Sequence, residues 1–335
     1  MKRIGNVFHH ITDYGNLYLA YTKARVGKSW QNTIKQFEKD ITGNLKNIQA
    51  DLINGSFRTS KYRTMQIHEP KHRTIYILPF NPDRIVQHAV MNVMEPVWDR
   101  RFIHDSYSCR KGKGQHKGSQ RCMEFVRRYK YCLKGDISKF YPSINHDIMF
   151  ELVKRTIKCP KTLQLLENII YAIGGGQNIP IGNYTSQWLG NLYLHELDKY
   201  CKHTLRIKGY IRYCDDFVLF HDDKQYLHSC LMGIKDLLHK KLSLTMSKDS
   251  IFPVTQGVDF LGYRHFPNYV LLRKSTAKRV KKRLSRLPAL LRKGIITEKQ
   301  YRSSIESTKG WLKWCSSYNF SIHNQIDNLL NEVTK

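Results

Sequence analysis

Asp215-Asp216 stands between two short apolar runs, Gly209–Tyr213 and Phe217–Phe220. The pattern predicts two β-strands joined by a tight hairpin, because short runs rich in β-branched and aromatic residues are typical of strands. Such a hairpin buries its apolar residues, so acids at its turn are out of place unless a cation compensates them. Adjacent aspartates also occur in ordinary turns, as Asp222-Asp223 at the outer end of the same hairpin illustrates.

A third acid, Asp136, lies near the end of another predicted strand, Tyr129–Ile137. Pairing of the two strand regions would bring Asp136 close to Asp215, and this favours a functional site over simple turn chemistry. Carboxylate oxygens suit Mg²⁺, which proteins bind through one or two carboxylates together with substrate phosphates. The three acids are therefore a candidate magnesium site.

The charge balance indicates what kind of partner to expect. The chain has 56 Lys and Arg against 27 Asp and Glu, a formal net charge of +29 over 335 residues. A polyanion such as nucleic acid relieves the self-repulsion of so basic a fold, although a merely soluble basic surface stays an alternative. The chain is not a disordered basic tail, since 41% of its residues are hydrophobic and 12% aromatic.

Cysteine usage and hydropathy predict a protein of the reducing cytoplasm. Eight cysteines occur without a C-x-x-C pair, which argues against a zinc ribbon or a disulfide framework. The first residues lack the apolar region of a signal peptide, and no stretch approaches the roughly 20 apolar residues of a membrane span. We therefore expect no membrane association.

Strand and helix patterns mix without the regular alternation of a doubly wound sheet, so the predicted fold class is α+β. Thr64–His68 and Arg73–Leu78 form a predicted hairpin with basic residues at its tip. Residues 186–200 have helical spacing. Leu271–Gly294 contains ten Lys or Arg and no acid, and predicts a basic amphipathic helix that is kinked or broken near Pro288.

Six short blocks follow one another within residues 60–265. In chain order they are Arg73–Pro79, Asp83–Ala89, Gly135–Tyr141, Pro180–Gly182 with Ser186, Tyr213–Asp216 and Phe260–Tyr263. This series resembles the ordered blocks of reverse transcriptases of the group II intron and bacterial retroelement lineage. The resemblance implies a right-hand polymerase fold with fingers, palm and thumb, and RNA-directed DNA synthesis as the activity.

The fourth block narrows the resemblance. The lineage usually carries Pro-Gln-Gly and later Ser-Pro, whereas this chain has Ile181 in place of the glutamine and Gln187 after Ser186. That pattern resembles reverse transcriptases of diversity-generating retroelements, which copy a template-repeat RNA with frequent errors at adenines. The alternatives are a reverse transcriptase of another bacterial type, group II intron-like or defence-associated, in which Ile181 is a tolerated core substitution, and a non-catalytic RNA-binding scaffold.

The resemblance also implies roles for individual residues around the acids. Asp136, Asp215 and Asp216, together with Ile137, are implied to form the site of two Mg²⁺ ions. Lys248 resembles a residue of the block after the hairpin and is a candidate proton donor to pyrophosphate.

Further roles concern the incoming nucleotide. Arg73 and Lys71 match residues that hold its triphosphate, and a planar guanidinium binds phosphate oxygens bidentately, although Arg73 is also compatible with an exposed strand residue. Tyr141 matches the steric gate that excludes a ribose 2′-hydroxyl, and is also compatible with a core aromatic. Ile181 and Gly182 belong to the nucleotide-binding fourth block.

The implied organisation is an N-terminal extension at 1–24, fingers at 25–120 and 147–180, a palm at 121–146 and 181–265, and a basic thumb at 266–335. Implied partners are a template RNA, the RNA–cDNA duplex, dNTPs and a small basic accessory protein of the retroelement. The implied location is the cytoplasm, for a protein encoded by a bacterium, an archaeon or a phage. We expect no endonuclease or maturase extension after the thumb.

Overall fold

The structure of the protein is a computed structural model that describes residues 2–68 and 72–331. Lys71, a predicted triphosphate contact, lies outside the described residues. Antiparallel sheets and helices follow one another without repeated βαβ units, which confirms the predicted α+β class.

The strands are β1 Arg63–Ile67, β2 Arg73–Ile77, β3 Tyr131–Ile137, β4 Gly209–Tyr213, β5 Asp216–His221, β6 Met246–Pro253, β7 Val258–Phe260, β8 Tyr263–His265 and β9 Val270–Leu272. The helices are α1 Phe8–Thr12, α2 Tyr14–Arg25, α3 Asn32–Phe37, α4 Ile41–Asn54, α5 Ile85–Asp99, α6 Gln115–Arg128, α7 Phe140–Ser143, α8 His146–Lys154, α9 Pro160–Ile170, α10 Tyr184–Lys199, α11 Lys224–Leu242, α12 Lys274–Arg292, α13 Glu298–Leu312, α14 Tyr318–His323 and α15 Ile326–Asn331.

A four-stranded antiparallel sheet in the order β4-β5-β3-β6 positions the predicted acids. Side chains alternate across a strand, so the two faces of this sheet have different neighbours. One face places Leu133, Phe217 and Leu219 in the main hydrophobic core, which also contains apolar residues of α10 and α11. Gly135 has to lack a side chain on this face, because a Cβ would come within 2.3 Å of the Phe217 ring.

The opposite face of the sheet packs on a second, smaller core. Cys132, Val218 and Phe220 lie there with apolar residues of α6 and β7. By the same alternation, Asp136 projects from this face two residues after Lys134 in β3. Asp216 projects from it two residues before Val218 in β5. The two acids therefore stand at the end of a buried apolar row.

The strand predictions around the acids hold with small changes of boundary. β4 has the predicted bounds, and β5 is one residue longer at each end than Phe217–Phe220. β3 begins at Tyr131 rather than at Tyr129, because Tyr129 ends α6 by donating its main-chain N–H to the Phe125 carbonyl. The predicted β1–β2 hairpin is also present, with Ile67 opposite Arg73.

The start of the basic helix differs from its prediction. Leu271 and Leu272 belong to β9, which pairs with β8 in a three-stranded sheet, so α12 begins only at Lys274. The periodic leucines allow either structure at this point, and pairing with β8 decides between them.

The predicted break near Pro288 does not occur, since α12 continues to Arg292. Proline in a helix interior removes a hydrogen bond and costs about 3 kcal/mol. Leu284 and Leu287 are buried in a cluster with Tyr301 of α13, and this packing offsets the cost. Within residues 2–68 and 72–331, no helix combines the length and apolar character needed to cross a membrane.

Candidate active site

The hairpin that carries the aspartate pair closes with a two-residue turn. β4 and β5 pair as far as Tyr213 opposite Asp216, so Cys214 and Asp215 form the turn. Of these two, only Cys214 has a positive φ, at 53°. That sign pattern belongs to a type II′ turn, whose twist matches the flanking strands. A non-glycine residue in this region is strained by about 1–3 kcal/mol, so the surrounding structure has to hold it.

Arg212, on β4, provides part of that support. Its Nη1 donates a hydrogen bond to the carbonyl oxygen of Cys214 at 3.0 Å. Its Nε and Nη2 each lie 2.6 Å from a carboxylate oxygen of Asp198 on α10, and both side chains are fully buried. Arg212 is not among the residues predicted from the sequence. An arginine inside the apolar run Gly209–Tyr213 is the signal that identifies it.

Strand register brings Asp136 and Asp216 together. They lie directly opposite each other in the β3–β5 pair, and opposite residues of an antiparallel pair project from the same face. Lys248 of β6 lies opposite Asp136 on its other side, and Lys134 precedes Asp136 by two residues on the same face. Two acids and two lysines therefore share this part of the sheet, beside the turn that carries Asp215.

Asp136 accepts a hydrogen bond from a neighbouring strand, β6. Ser247 donates its hydroxyl to Oδ2 of Asp136 at 2.9 Å. The contact depends on a shift of register, since Asp136 lies opposite Lys248 whereas Ile137 lies opposite Met246. Ser247 is the extra residue of this β-bulge, and bulges commonly redirect side chains beside active sites.

Asp216 is more enclosed than a typical surface acid. Its side chain is 26% exposed, but its Oδ1 is buried and has no hydrogen-bond partner among the described residues. Burial raises the pKa of Asp216 to about 7, while Lys134, whose Nζ lies 3.7 Å from Oδ2, opposes the increase. An unsatisfied carboxylate oxygen in such a place is suited to a cation.

Carboxylate oxygens are the ligand type that a hard divalent cation prefers. The described side chains are nevertheless not arranged as a metal-binding cluster. Across residues 2–68 and 72–331, no group of three His, Cys, Asp or Glu is arranged to hold a metal ion. Asp136 is bonded to Ser247, and Asp216 approaches Lys134. The donor type and the unsatisfied Oδ1 fit Mg²⁺. Ile137 is 2% exposed with its side chain in the core, so only its main chain is available to an ion.

Tyr141 is half-buried on α7 and packs beside α10. A Cβ on Gly190 of α10 would lie 3.3 Å from Cε1 of the Tyr141 ring. Burial raises the pKa of Tyr141 well above its usual value, and the nearby Cys214 and Asp215 raise it further. The ring therefore both packs on the core and lies near the turn, so the two sequence interpretations are compatible.

The fourth block docks on the main chain of β2. The Ile181 carbonyl accepts a hydrogen bond from the Tyr76 N–H at 2.8 Å. Gly182 has a φ of 123°, and a Cβ there would lie 2.4 Å from the Tyr76 carbonyl oxygen. Only glycine meets both conditions. Arg73, which is exposed, begins the strand on which this block docks, and Lys248 is exposed beside Asp136.

Comparison with known proteins identifies the family. The family model described as reverse transcriptase (RNA-dependent DNA polymerase) matches residues 62–265, from the β1–β2 hairpin through the four-stranded sheet to β8. The chain belongs to the reverse transcriptase family. It is an RNA-directed DNA polymerase, and enzymes of this family generally use Mg²⁺ for catalysis.

Relatives place this reverse transcriptase near group II intron proteins. Protein YkfC of Escherichia coli (strain K12) is 26% identical over 271 residues, which cover 66% of this chain and 70% of YkfC. Group II intron-encoded protein LtrA of Lactococcus lactis subsp. cremoris is 27% identical over 168 residues, which cover 47% of this chain and 28% of LtrA.

A solved structure supports the fold. Apo telomerase from Candida Tropicalis, truncated from the C-terminal domain, matches with a TM-score of 0.51 and 11% identity, over 68% of this chain and 59% of that chain. This likeness concerns the fold alone, and it agrees with the right-hand polymerase architecture expected from the motif series.

Proposed function

We propose that this reverse transcriptase copies a template RNA into error-prone, adenine-mutagenised cDNA for a diversity-generating retroelement. The observation that carries the proposal is the residue at position 181. The Ile181 main chain is bound to Tyr76 of β2. By the resemblance of the fourth block, its isoleucine side chain stands in place of the glutamine that is usual in this lineage. Isoleucine offers only apolar contact, whereas a glutamine amide donates and accepts hydrogen bonds.

Without the hydrogen bonds of a glutamine, the enzyme is expected to distinguish correct from incorrect nascent base pairs less well. One well-placed hydrogen bond contributes about 0.5–1.5 kcal/mol. Discrimination is a difference in transition-state free energy, and about 1.4 kcal/mol is tenfold in rate. Loss of one such bond therefore lowers fidelity several-fold without stopping synthesis. The preference for adenines rests on the family resemblance, to which Gln187 also contributes.

The substitution Ile181→Gln tests this proposal. We expect several-fold fewer misincorporations opposite template adenines and a smaller change in total cDNA yield, because the amide restores a directional contact. Deep sequencing of cDNA made from one defined RNA measures both quantities. Ile181→Leu is the matched control, since it keeps an apolar side chain and is expected to keep the error rate. Equal adenine error rates in Ile181→Gln and the unaltered enzyme would make Ile181 a packing residue.

A second candidate is a group II intron-like reverse transcriptase of ordinary fidelity. The similarity to LtrA, named as a group II intron-encoded protein, favours it. The same sequencing experiment separates the two, because an enzyme of this second type has no elevated error rate at adenines.

The proposed metal site consists of Asp136, Asp215 and Asp216, with the main chain of Ile137. Bound there, two Mg²⁺ ions would activate the primer 3′-oxygen and stabilise the pyrophosphate leaving group. Asp136 can bind an ion while it keeps the hydrogen bond from Ser247 to Oδ2, because a carboxylate has two oxygens and about four acceptor sites. The enclosed Asp216 supplies a carboxylate oxygen with no other partner among the described residues.

We further propose that Arg73 holds the incoming triphosphate, with Lys71 as a second contact, and that Lys248 donates a proton to pyrophosphate. Arg73 is exposed at the start of β2, where its side chain has room to meet a ligand. The position of Lys248 opposite Asp136 puts an ammonium group on the face that carries the acids.

Removal of the guanidinium in Arg73→Ala is expected to raise the KM for dNTP by about tenfold or more, since hydrogen bonds to charged groups contribute roughly 1.5–3 kcal/mol. Steady-state primer extension at varied dNTP concentration measures the effect. Arg63→Ala is the matched control, because it removes the same charge from an exposed position on β1. Equal KM values for the two variants would remove Arg73 from the nucleotide site.

Tyr141 is proposed to select deoxynucleotides by occupying the space of a ribose 2′-hydroxyl. We expect Tyr141→Ala to raise the ratio of ribonucleotide to deoxynucleotide use by roughly tenfold or more, because loss of the ring opens space for the 2′-hydroxyl and one small group changes discrimination by about 1–3 kcal/mol. Tyr141→Phe keeps the ring and is expected to keep the selectivity. If competition assays give the same ratio for the alanine variant and the unaltered enzyme, the gate lies elsewhere.

Binding of an RNA template follows from the family, and the charge of the chain agrees with it. We propose the RNA–cDNA duplex and a small basic accessory protein as further partners, and we retain the domain bounds given above. The separate hydrophobic cluster of α12, α13 and α15 supports a distinct thumb. Pairing of β8 with β9 carries the sheet across residue 266, so the palm and thumb are joined by a strand pair.

A further inference from the structure

Two cysteines from distant parts of the chain approach each other at the aspartate turn. The hydroxyl oxygen of Ser108 lies 3.2 Å from the sulfur of Cys109 and 2.8 Å from the sulfur of Cys214. Cys109 is exposed and Cys214 is half-buried, so an aqueous reagent can reach the pair. Both have a positive φ, 56° and 53°, a conformation that non-glycine residues seldom adopt.

The buried Arg212 is connected through hydrogen bonds to the segments that carry Cys109 and Cys214. Arg212 donates hydrogen bonds to the carbonyl oxygen of Cys214 and to the side-chain oxygen of Asn191. Asn191 in turn donates its amide to the carbonyl oxygen of Ser108 at 2.9 Å. These bonds hold Ser108, the residue before Cys109, and Cys214 in place. The fold itself therefore brings the two thiols close together, without a movement of either segment.

We propose that Cys109 and Cys214 are a modification site, at which a peroxide forms a reversible disulfide that stops polymerisation. In the first step the sulfur of Cys109 attacks a peroxide oxygen and becomes a sulfenic acid, and with hydrogen peroxide the other oxygen leaves as water. In the second step the sulfur of Cys214 displaces that hydroxyl group as water. Two thiols are oxidised, one peroxide is reduced, and a small dithiol reverses the change.

The environment favours Cys109 as the attacking residue. It is the more exposed of the two, and its hydrogen bond with Cys214 lowers the pKa of the Cys109 thiol. Thiolates rather than thiols react with peroxides. Other cysteines are buried and therefore not open to an aqueous reagent in the same way, among them Cys122, Cys132, Cys201 and Cys230.

A disulfide would disturb the turn for a geometric reason. The sulfur atoms of a disulfide lie about 2.05 Å apart and carry no proton to donate to Ser108, so the side chains of Cys109 and Cys214 have to move together and change their contacts with Ser108. Cys214 directly precedes Asp215, and any movement of its main chain also strains the bond from Arg212. Displacement of the turn then misplaces Asp215.

Treatment of the whole 335-residue chain with hydrogen peroxide tests the proposal. We expect non-reducing peptide mass mapping to find a linked peptide that contains Cys109 and Cys214. Primer extension is expected to fall at least tenfold and to recover with dithiothreitol. Cys109→Ser should keep its basal activity and resist peroxide. Cys315→Ser, which removes a half-buried thiol of the terminal helical region, is the matched control and should stay as sensitive as the unaltered enzyme.

Two results would overturn the proposal. The first is that no linked peptide is found after peroxide treatment, even if Cys109 alone is oxidised. The other is Cys109→Ser that loses activity as fully as the unaltered enzyme. Detection of the linked peptide requires neither a variant nor polymerase activity, so a failure of the proposed cellular function is distinguishable from a failure of this inference.

Discussion

Asp215→Asn is expected to lower cDNA synthesis by about a thousandfold while RNA binding persists. The substitution removes one negative charge from the site proposed for Mg²⁺ and changes the side chain by little else. A metal ion contributes several kcal/mol of transition-state stabilisation, and a loss of roughly 4 kcal/mol corresponds to three factors of ten. RNA binding depends on the basic surface, which the substitution leaves intact.

Primer extension with purified protein measures the loss, and filter binding of a labelled RNA measures the retained affinity. Asp236→Asn is the matched control, because Asp236 is an exposed acid on α11 that pairs only with Lys240 among the described residues. It is expected to leave both quantities unchanged. Normal primer extension by Asp215→Asn would contradict the assignment of Asp215 to the metal site.

The second large effect concerns stability. Asp198→Ala is expected to lower the free energy of unfolding by about 3–5 kcal/mol, because it leaves the guanidinium of Arg212 buried without its counter-charge. Both side chains are 0% exposed, and Asp198 also accepts a hydrogen bond from the Tyr210 hydroxyl at 2.7 Å. Chemical denaturation followed by fluorescence measures the change. Asp236→Ala serves as the exposed control, for which a change within about 0.5 kcal/mol is expected.

A double variant separates stability from positioning. Replacement of a buried ion pair by apolar residues costs less than removal of one partner. Asp198→Ala with Arg212→Met is therefore expected to regain part of the stability lost in Asp198→Ala. Its primer-extension activity is expected to be low, because removal of Arg212 also removes the hydrogen bond to the Cys214 carbonyl. Restored stability together with normal activity would mean that Arg212 does not position the turn.

Local pattern was sufficient for the hairpin that carries the acids. The bounds of β4 and the place of the turn follow from contiguous residues, since apolar runs and turn residues act over a few positions. The order and residues of the six motif blocks were sufficient to predict the reverse transcriptase family, which the family match to residues 62–265 confirms.

Long-range pairing decided what surrounds those acids. Lys248 lies opposite Asp136 through the register of the β3–β6 pair, and Ser247 reaches Asp136 through the bulge that follows. A register shift of one residue would turn every side chain of the strand to the other face. The β9 strand likewise replaced the predicted start of α12 because β8 was available as a partner.

The amino-acid sequence by itself determined the family and the fold class, and it predicted the three aspartates as the metal site, because each of these depends on residue types at short spacing. Only the tertiary structure decided that Asp216 lies opposite Asp136, that Arg212 binds the carbonyl oxygen of Cys214 in the turn, and that Cys109 and Cys214 both contact the Ser108 hydroxyl. These contacts join segments far apart in the chain. Their free energies depend on burial and register, which exist only once the sheet has formed.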